Sequence, residues 1–286
     1  MIISELSFFF SVYSLSLTIG HLFKIFAIYC IYKIVVQSGI IDPYNALLDK
    51  LGMNNNVLEE RLHNRIVEIK SAQRAIFLAL AKLAEARDKE TGAHLKRLSV
   101  YTEILLMQMR RDTVFSNELN DDFIADVVMV SVIHDIGKVG LSESILLKRG
   151  KLTLLEFEEM KKHTIIGASV LKEALRGYPD NHFIKVAQEI AQNHHERWDG
   201  KGYPKGISGI NIPLSARVVA LADVFDALGS QRCYKKAFSF NKCKEIIIQN
   251  RNTHFDPFIV NAFLKCEKDF NFISENMQLK INSVPL

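Results

Sequence analysis

The sequence predicts an all-α protein, and three observations carry that prediction. Apolar residues recur at helical spacing in one run after another. Helix-start signatures precede several runs, as in Thr153 with Glu156 three residues on, or Asp256 followed by Pro257. No alternating strand pattern, internal repeat or low-complexity tract is visible.

The elements follow in order. From Ile2 to Val36 the only charged residues are Glu5, Lys24 and Lys33. "LSFFFSVYSLSLTIG" and "LFKIFAIYCIYKIVV" are two apolar stretches separated by His21. Each is near or slightly short of the ~20 residues that span a bilayer. Without a basic start or a small-residue cleavage site, a signal peptide is a poor reading. Two membrane helices within residues 1–42 is the preferred reading. One span with an interfacial helix, or a buried soluble hairpin, are the others. Tyr29, Tyr32 and Lys33 suit a membrane interface.

In "IDPYNALLDKLGMNNN", Pro43 predicts a turn, and the three asparagines predict a helix break and restart. A long helix follows from Val57 to about Arg87, the main part of a linker over 43–83. Leu62, Ile66, Ile69, Ile76, Leu80 and Leu83 form a heptad seam interrupted by Gln73. The seam pairs with a second copy, giving a homodimer, or docks on its own domain. The rest, 84–286, reads as successive helices: "AHLKRLSVYTEILLMQM", "DDFIADVVMVSVIHDIG", "LTLLEFEEMKKHTIIGASVLKEAL", "HFIKVAQEIAQNHHE", "LSARVVALADVFDAL" and "FDPFIVNAFLKC". The tail after Phe272 gives no signal.

Composition narrows the class. A length of 286 residues allows one full domain and a smaller piece, and 48% apolar content can fill a core. A formal charge of +4 suits an anionic ligand or a membrane surface and is too weak to argue for DNA. Cys30, Cys233, Cys243 and Cys266 form no CxxC pair, which favours a reducing compartment over a disulfide scaffold.

The chemistry starts in "VSVIHDIGKVG". His134 and Asp135 close an apolar helix, and neighbours on a helix point about 100° apart, so both can lean toward one ion. Alone, the pair would read as a satisfied buried ion pair. It is not alone. Glu90 and His94 share a helix face at i, i+4. His163, His194 and His195 lie near helix ends, and Asp223 sits amid apolar residues where an acid needs a partner. Histidine and carboxylate without thiolate suit iron, manganese, zinc or nickel rather than calcium. Eight such residues exceed one ion's needs, so two or three close divalent ions bridged by Asp135 is the simplest arrangement. Close metal ions point to phosphoester hydrolysis. Lys138, four residues after His134, holds a phosphate charge or is a plain helix-terminal lysine.

Other residues get plainer readings. His63 is solvated on the linker helix, His182 starts a helix, and His254 braces the "THFDP" turn; His21 has no assigned role. Glu196 and Asp199 either support the metal histidines or cap their loop. Trp198 and Tyr203 pack that loop on the core or stack on a base.

Taken together, "HDIGKVG", "HT" with Gly167 three residues on, "HHERWDGKGYPKG", "ADVFDALGSQRCYKKA" and "THFDP" resemble the HD-GYP family, a branch of the HD phosphohydrolases, over roughly 84–268. The resemblance implies an HD-type helical bundle that hydrolyses cyclic di-GMP to pGpG or GMP with iron or manganese. It implies ligation by His134, Asp135, His163, His194, His195 and Asp223, with Glu90 and His94 adding a third ion. Asp135 and Lys138 would be catalytic, and Arg232 and Lys235 would contact the ligand phosphates. Gly229 and Cys233 depart from the family's usual threonine and proline. Both bear on ligand affinity rather than on the metal site.

The N-terminus resembles the last two helices of a membrane-associated sensor domain that precedes bacterial signalling enzymes. That implies a truncated or alternatively started product, held at the inner membrane with its catalytic domain in the cytoplasm, and diguanylate cyclases (GGDEF) as partners. Two alternatives stand beside this reading. One is an HD phosphohydrolase acting on another cyclic dinucleotide or nucleotide. The other is a non-catalytic module that binds cyclic di-GMP or a partner; the complete ligand set counts against it.

Overall fold

The computed structural model describes residues 2–85, 92–112, 115, 118–148, 150–230 and 237–282. The chain divides into two compact units, Met1–Lys70 and Ser71–Leu286. Among the described residues the regular structure is helical and no strand forms.

The first unit holds α1 (Ile2–Ile31), a π-helical segment (Tyr32–Ile41) and the start of α2 (Asp42–Glu85). α1 runs unbroken through His21, so the separation expected between the two apolar stretches is absent. Nothing there forces one: no proline is present, and Gly20 inside a helix costs only about 1 kcal/mol. Among the described side chains of α1, Leu22, Phe23, Ile25 and Phe26 are large, apolar and exposed.

Two further expectations are corrected on α2. Pro43 marks no separate turn; it lies within a continuous helical run where the π-helical segment passes into α2, and the N–H it lacks is missing from the ladder there. Asn54, Asn55 and Asn56 do not break the helix, which continues through them. Asparagine is a weak helix former, but its cost of a few tenths of a kcal/mol does not end a 44-residue helix.

The second unit is built around α3 (Gly92–Arg111), α4 (Asp121–Val130), α5 (Glu143–Leu146), α6 (Leu154–Gly177), α7 (His182–Asn193), α8 (Leu214–Gly229), α9 (Phe240–Gln249), α10 (Pro257–Lys265) and α11 (Glu267–Asn282). α8 is buried along most of its length and packs against α3, α7, α9 and α10. α6 lies along α7 and against a 3₁₀ turn, Ile136–Gly140. α11 extends the C-terminal region beyond Phe272, a tail without a pattern of its own, and contributes Phe270 to the core. Tyr101 stacks on Phe270 at 4.6 Å, and Phe225 meets Tyr101, Phe263 and Phe270 edge-on or tilted.

The helix starts follow local chemistry. Asn120, Asn181 and Ser239 each accept a hydrogen bond from a backbone N–H three residues on. Thr153 and Glu156 form the predicted capping box, and Asp256 caps α10 with Pro257 in its first turn. Lys148 and the Thr153 backbone, both hydrogen-bonded to the Glu156 carboxylate, bring that group down to about 2. A lowered folded-state value stabilises the protein above the ordinary carboxylate range and is lost as pH falls through about 2. Glu156→Ala is therefore expected to flatten the loss of thermal stability between pH 5 and pH 2 (~3 pH units). Identical melting profiles for the two proteins across that window would contradict this.

One predicted helix ends early. α4 stops at Val130, and His134 and Asp135 lie in a turn between the 3₁₀ segments Ser131–Ile133 and Ile136–Gly140 rather than on a continuing α-helix. Ser131 Oγ donates to Val128 O at 2.8 Å, and His134 Nδ1 lies 2.9 Å from Ser131 O. Such local side-chain bonds compete with the α-helical ladder.

Candidate metal centre

Seven of the predicted metal-site residues converge in two buried groups. Asp135, His163, His194 and His195 form one; His94, His134 and Asp223 form the other. α3 supplies His94, α6 supplies His163, the end of α7 supplies His194 and His195, and α8 supplies Asp223. Asp135 joins the groups. Its Oδ1 lies 3.2 Å from His163 Nε2 and 3.5 Å from His194 Nε2. Its Oδ2 lies 3.2 Å from His134 Nε2. Asp223 Oδ1 lies 3.6 Å from His94 Nε2 and 3.9 Å from His134 Nε2.

The far sides of the rings fix their tautomers. His134 Nδ1 faces Ser131 O at 2.9 Å, His163 Nδ1 faces Met160 O at 2.7 Å, and His194 Nδ1 faces Ile190 O at 3.0 Å. A carbonyl can only accept, so Nδ1 carries the proton in each case and Nε2 offers a lone pair inward. Lone pairs then face other acceptors: His163 Nε2 to His194 Nε2 at 3.5 Å, and both to the Asp135 carboxylate. A bound cation, or a shared proton, relieves such facing acceptors, and the number of inward lone pairs suits a cation. His134 Nε2 and Asp135 Oδ1 are also buried without a hydrogen-bond partner among the described residues. An imidazole–carboxylate set of this kind fits a borderline divalent ion.

The electrostatics agree. Burial pushes His194 down and His195 well down, so both stay neutral, as ligation requires. His134 differs: burial opposes its charge, but the Asp135 carboxylate outweighs burial and brings the imidazole up to about 9, so its Nε2 would give up a proton on binding an ion. Burial also opposes the Asp135 charge; Lys138 and His134 outweigh it and hold the carboxyl well below its usual range. Lys138 Nζ sits 2.8 Å from Asp135 Oδ2.

Close backbone approach makes this possible. A Cβ on Gly137 would meet His163 O at 1.9 Å and Gly167 N at 2.5 Å, so only glycine lets the turn after Asp135 press against α6. Gly202 is similarly crowded, with Arg197 N at 2.4 Å and His195 O at 2.6 Å from a Cβ.

The loop after His195 is self-braced. Glu196 Oε1 accepts from Lys205 N at 2.7 Å, and Asp199 accepts from Arg197 and from Lys201 N. Both carboxylates thus hold the loop itself. Trp198 N donates to His254 O at 3.1 Å and the Arg217 guanidinium lies over the Trp198 ring, which ties the loop to the "THFDP" turn. Tyr203 stacks on His195 with ring centroids 4.8 Å apart. His182 lies on the surface at the start of α7, with Nδ1 2.9 Å from Asp126 Oδ2.

Glu90, Arg232, Cys233 and Lys235 lie outside the described residues. Sequence reasoning missed Asp226 and Arg97. Asp226 Oδ2 lies 2.7 Å from His94 Nδ1, and Arg97 bonds both Asp226 oxygens. Their signal was present but faint: Arg97 follows His94 by three positions, and Asp226 follows Asp223 by three.

Fold and site together define a class: an all-α protein with a buried, two-lobed histidine–aspartate centre suited to divalent metal. Residues 79–259 match the model of the HD domain, and the chain belongs to that family. It is 44% identical over 229 residues to a Vibrio cholerae protein named "Probable cyclic di-GMP phosphodiesterase", covering 79% of this chain and 52% of that protein. It is 42% identical to a second V. cholerae protein, named "Cyclic di-GMP phosphodiesterase", over 82% of this chain and 48% of that protein. It is 37% identical to "3'3'-cGAMP-specific phosphodiesterase 2" of the same organism, over 72% of this chain and 37% of that protein. The chain spans about half the length of the first two relatives.

Proposed function

We propose that the chain is an HD-GYP-type phosphodiesterase that hydrolyses cyclic di-GMP to pGpG or GMP at a centre of two or three iron or manganese ions. The observation that carries this is Asp135, whose two oxygens face two separate histidine groups. The names of the relatives support the substrate.

Bound ions would supply charge stabilisation at the phosphoryl oxygens and a water of lowered pKa. The chain's residues do the rest. Lys138 holds the Asp135 carboxylate and adds a positive charge beside the phosphodiester. The Nδ1 bonds of His134, His163 and His194 lock three imidazoles before substrate arrives, which keeps reorganisation low. Arg232 and Lys235 take the ligand phosphates in this reading, and Glu90 completes the third ion site with His94.

The site is carried by a chain anchored in the inner membrane, with the catalytic unit in the cytoplasm. Support comes from a helical stretch, Phe10–Ala84, that is long and apolar enough in part to cross a membrane. The linker pairs with a second copy. Leu62, Ile66, Ile69, Ile76, Leu80 and Leu83 are all exposed, as a heptad seam awaiting its partner would be. Residues 43–286 are expected to sediment as a dimer at micromolar concentration, and a monomer would rule the pairing out. Diguanylate cyclases are the proposed signalling partners.

The test is direct. Full-length protein in detergent, loaded anaerobically with manganese or iron, is given cyclic di-GMP and, separately, 3'3'-cGAMP. Chromatography is expected to show pGpG or GMP, with the guanine substrate consumed faster. Faster consumption of 3'3'-cGAMP would move the assignment to the other cyclic dinucleotide. Both substrates intact after full loading would overturn the enzymatic reading.

A further inference from the structure

The His94 end of the centre is held by residues to which the proposed function gives no role. His94 and Arg97 are three apart on α3; Asp223 and Asp226 are three apart on α8. Residues at i, i+3 share a helix face. The two helices therefore meet through four side chains, and each helix contributes one to the metal centre and one to a brace behind it.

The brace is fully formed. His94, Arg97 and Asp226 are 4, 5 and 3% exposed. His94 Nδ1 lies 2.7 Å from Asp226 Oδ2; Arg97 Nε lies 2.6 Å from Oδ1 and Arg97 Nη2 2.9 Å from Oδ2. Arg97 Nη2 also donates to Ser230 Oγ at 2.8 Å. Guanidinium is always charged and only donates. Asp226 is thus held as an ionised acceptor, and His94 must carry its proton on Nδ1. Its Nε2 lone pair then faces the centre, 3.6 Å from Asp223 Oδ1.

We infer that Asp226, clamped by Arg97, is a positioning residue that fixes the tautomer and aim of His94 and so sets the affinity of the ion held by His94, His134 and Asp223. The inference rests on the metal-centre reading. Asparagine is the informative replacement. Its one oxygen cannot accept from both His94 and Arg97 Nε, and its amide would face a donor on one side. Either the Arg97 clamp breaks or His94 is driven toward the wrong tautomer.

The test uses full-length protein loaded anaerobically with manganese and dialysed against graded chelator, with metal counted by mass spectrometry and helicity by circular dichroism. Asp226→Asn is expected to release one ion at about 10- to 100-fold lower chelator than wild type while the Asp135–His163 ion stays bound. His94→Ala should lose that same ion, and the double variant should lose no more than His94→Ala alone. Arg97→Lys, which keeps the charge but not the fork, should weaken the same ion less. A folded Asp226→Asn that holds every ion as tightly as wild type would overturn the inference, and so would additive losses in the double variant. Should Asp226→Asn not fold, Arg97→Lys decides by the same readout, and unchanged ion retention in it overturns the inference. A wild type that takes up no ion at all would instead overturn the metal-centre reading.

Discussion

Asp135→Ala is expected to abolish hydrolysis of cyclic di-GMP and to empty the centre. The reason is its shared position. Asp135 Oδ1 faces His163 and His194, and Oδ2 faces His134 and Lys138. Alanine leaves the imidazole lone pairs of both groups without their common counter-charge. Metal charge stabilisation in such sites is worth several kcal/mol, and about 4 kcal/mol corresponds to a thousandfold in rate. A loss of at least that size is predicted, with helicity unchanged. Asp135→Asn keeps the shape but not the charge and should fall nearly as far. Retention of a tenth or more of wild-type turnover by a folded, metal-loaded Asp135→Ala would show that the bridge does not carry the chemistry.

Gly137→Ala is expected to have the largest effect on stability of any single methyl addition in the centre. The added carbon would lie 1.9 Å from His163 O, 2.5 Å from Gly167 N and 2.8 Å from His163 C. These are backbone atoms, so no rotamer change relieves the clash. Either α6 moves away from the turn, or the turn carrying Asp135 moves away from α6. Overpacking of a buried site costs about 1–3 kcal/mol, and backbone against backbone belongs at the upper end. The displaced residue is also one of the proposed metal ligands, so an ion bound by Asp135 and His163 should be held more weakly as the melting temperature falls. A Gly137→Ala protein that melts with wild type would show that α6 and the turn are not pressed together as described. Gly20, with open space around it, provides a contrast: Gly20→Ala meets nothing and should not destabilise.

The contrast between what the residues announced and what they hid has physical causes. Thr153 with Glu156 and Asp256 with Pro257 announced helix starts because capping is local: donor and acceptor are three residues apart. The proposed metal-site histidines stood out because so many imidazoles beside apolar helices need a common partner. Asp226 stayed hidden because its partners lie 129 and 132 residues away in sequence. Within "ADVFDAL" it resembles an ordinary second acid, and only the packing of α3 on α8 reveals what it holds. The end of α4 at Val130 was hidden for a similar reason. The apolar pattern continues through Ile133, while the side-chain bonds of Ser131 and His134 turn the backbone. The opposite error arose at Asn54–Asn56. Three weak helix formers suggested a break, yet propensity is a small term beside a long cooperative helix.

The claim on which the rest depends is that Asp135 joins two metal-holding groups. It is tested most directly by counting ions in wild-type protein purified anaerobically, loaded with manganese and freed of excess metal. Two to three ions per chain are expected; if Glu90 completes a third site, Glu90→Ala should lower a count near three to near two. A wild-type count of one ion or none per folded chain would contradict the account.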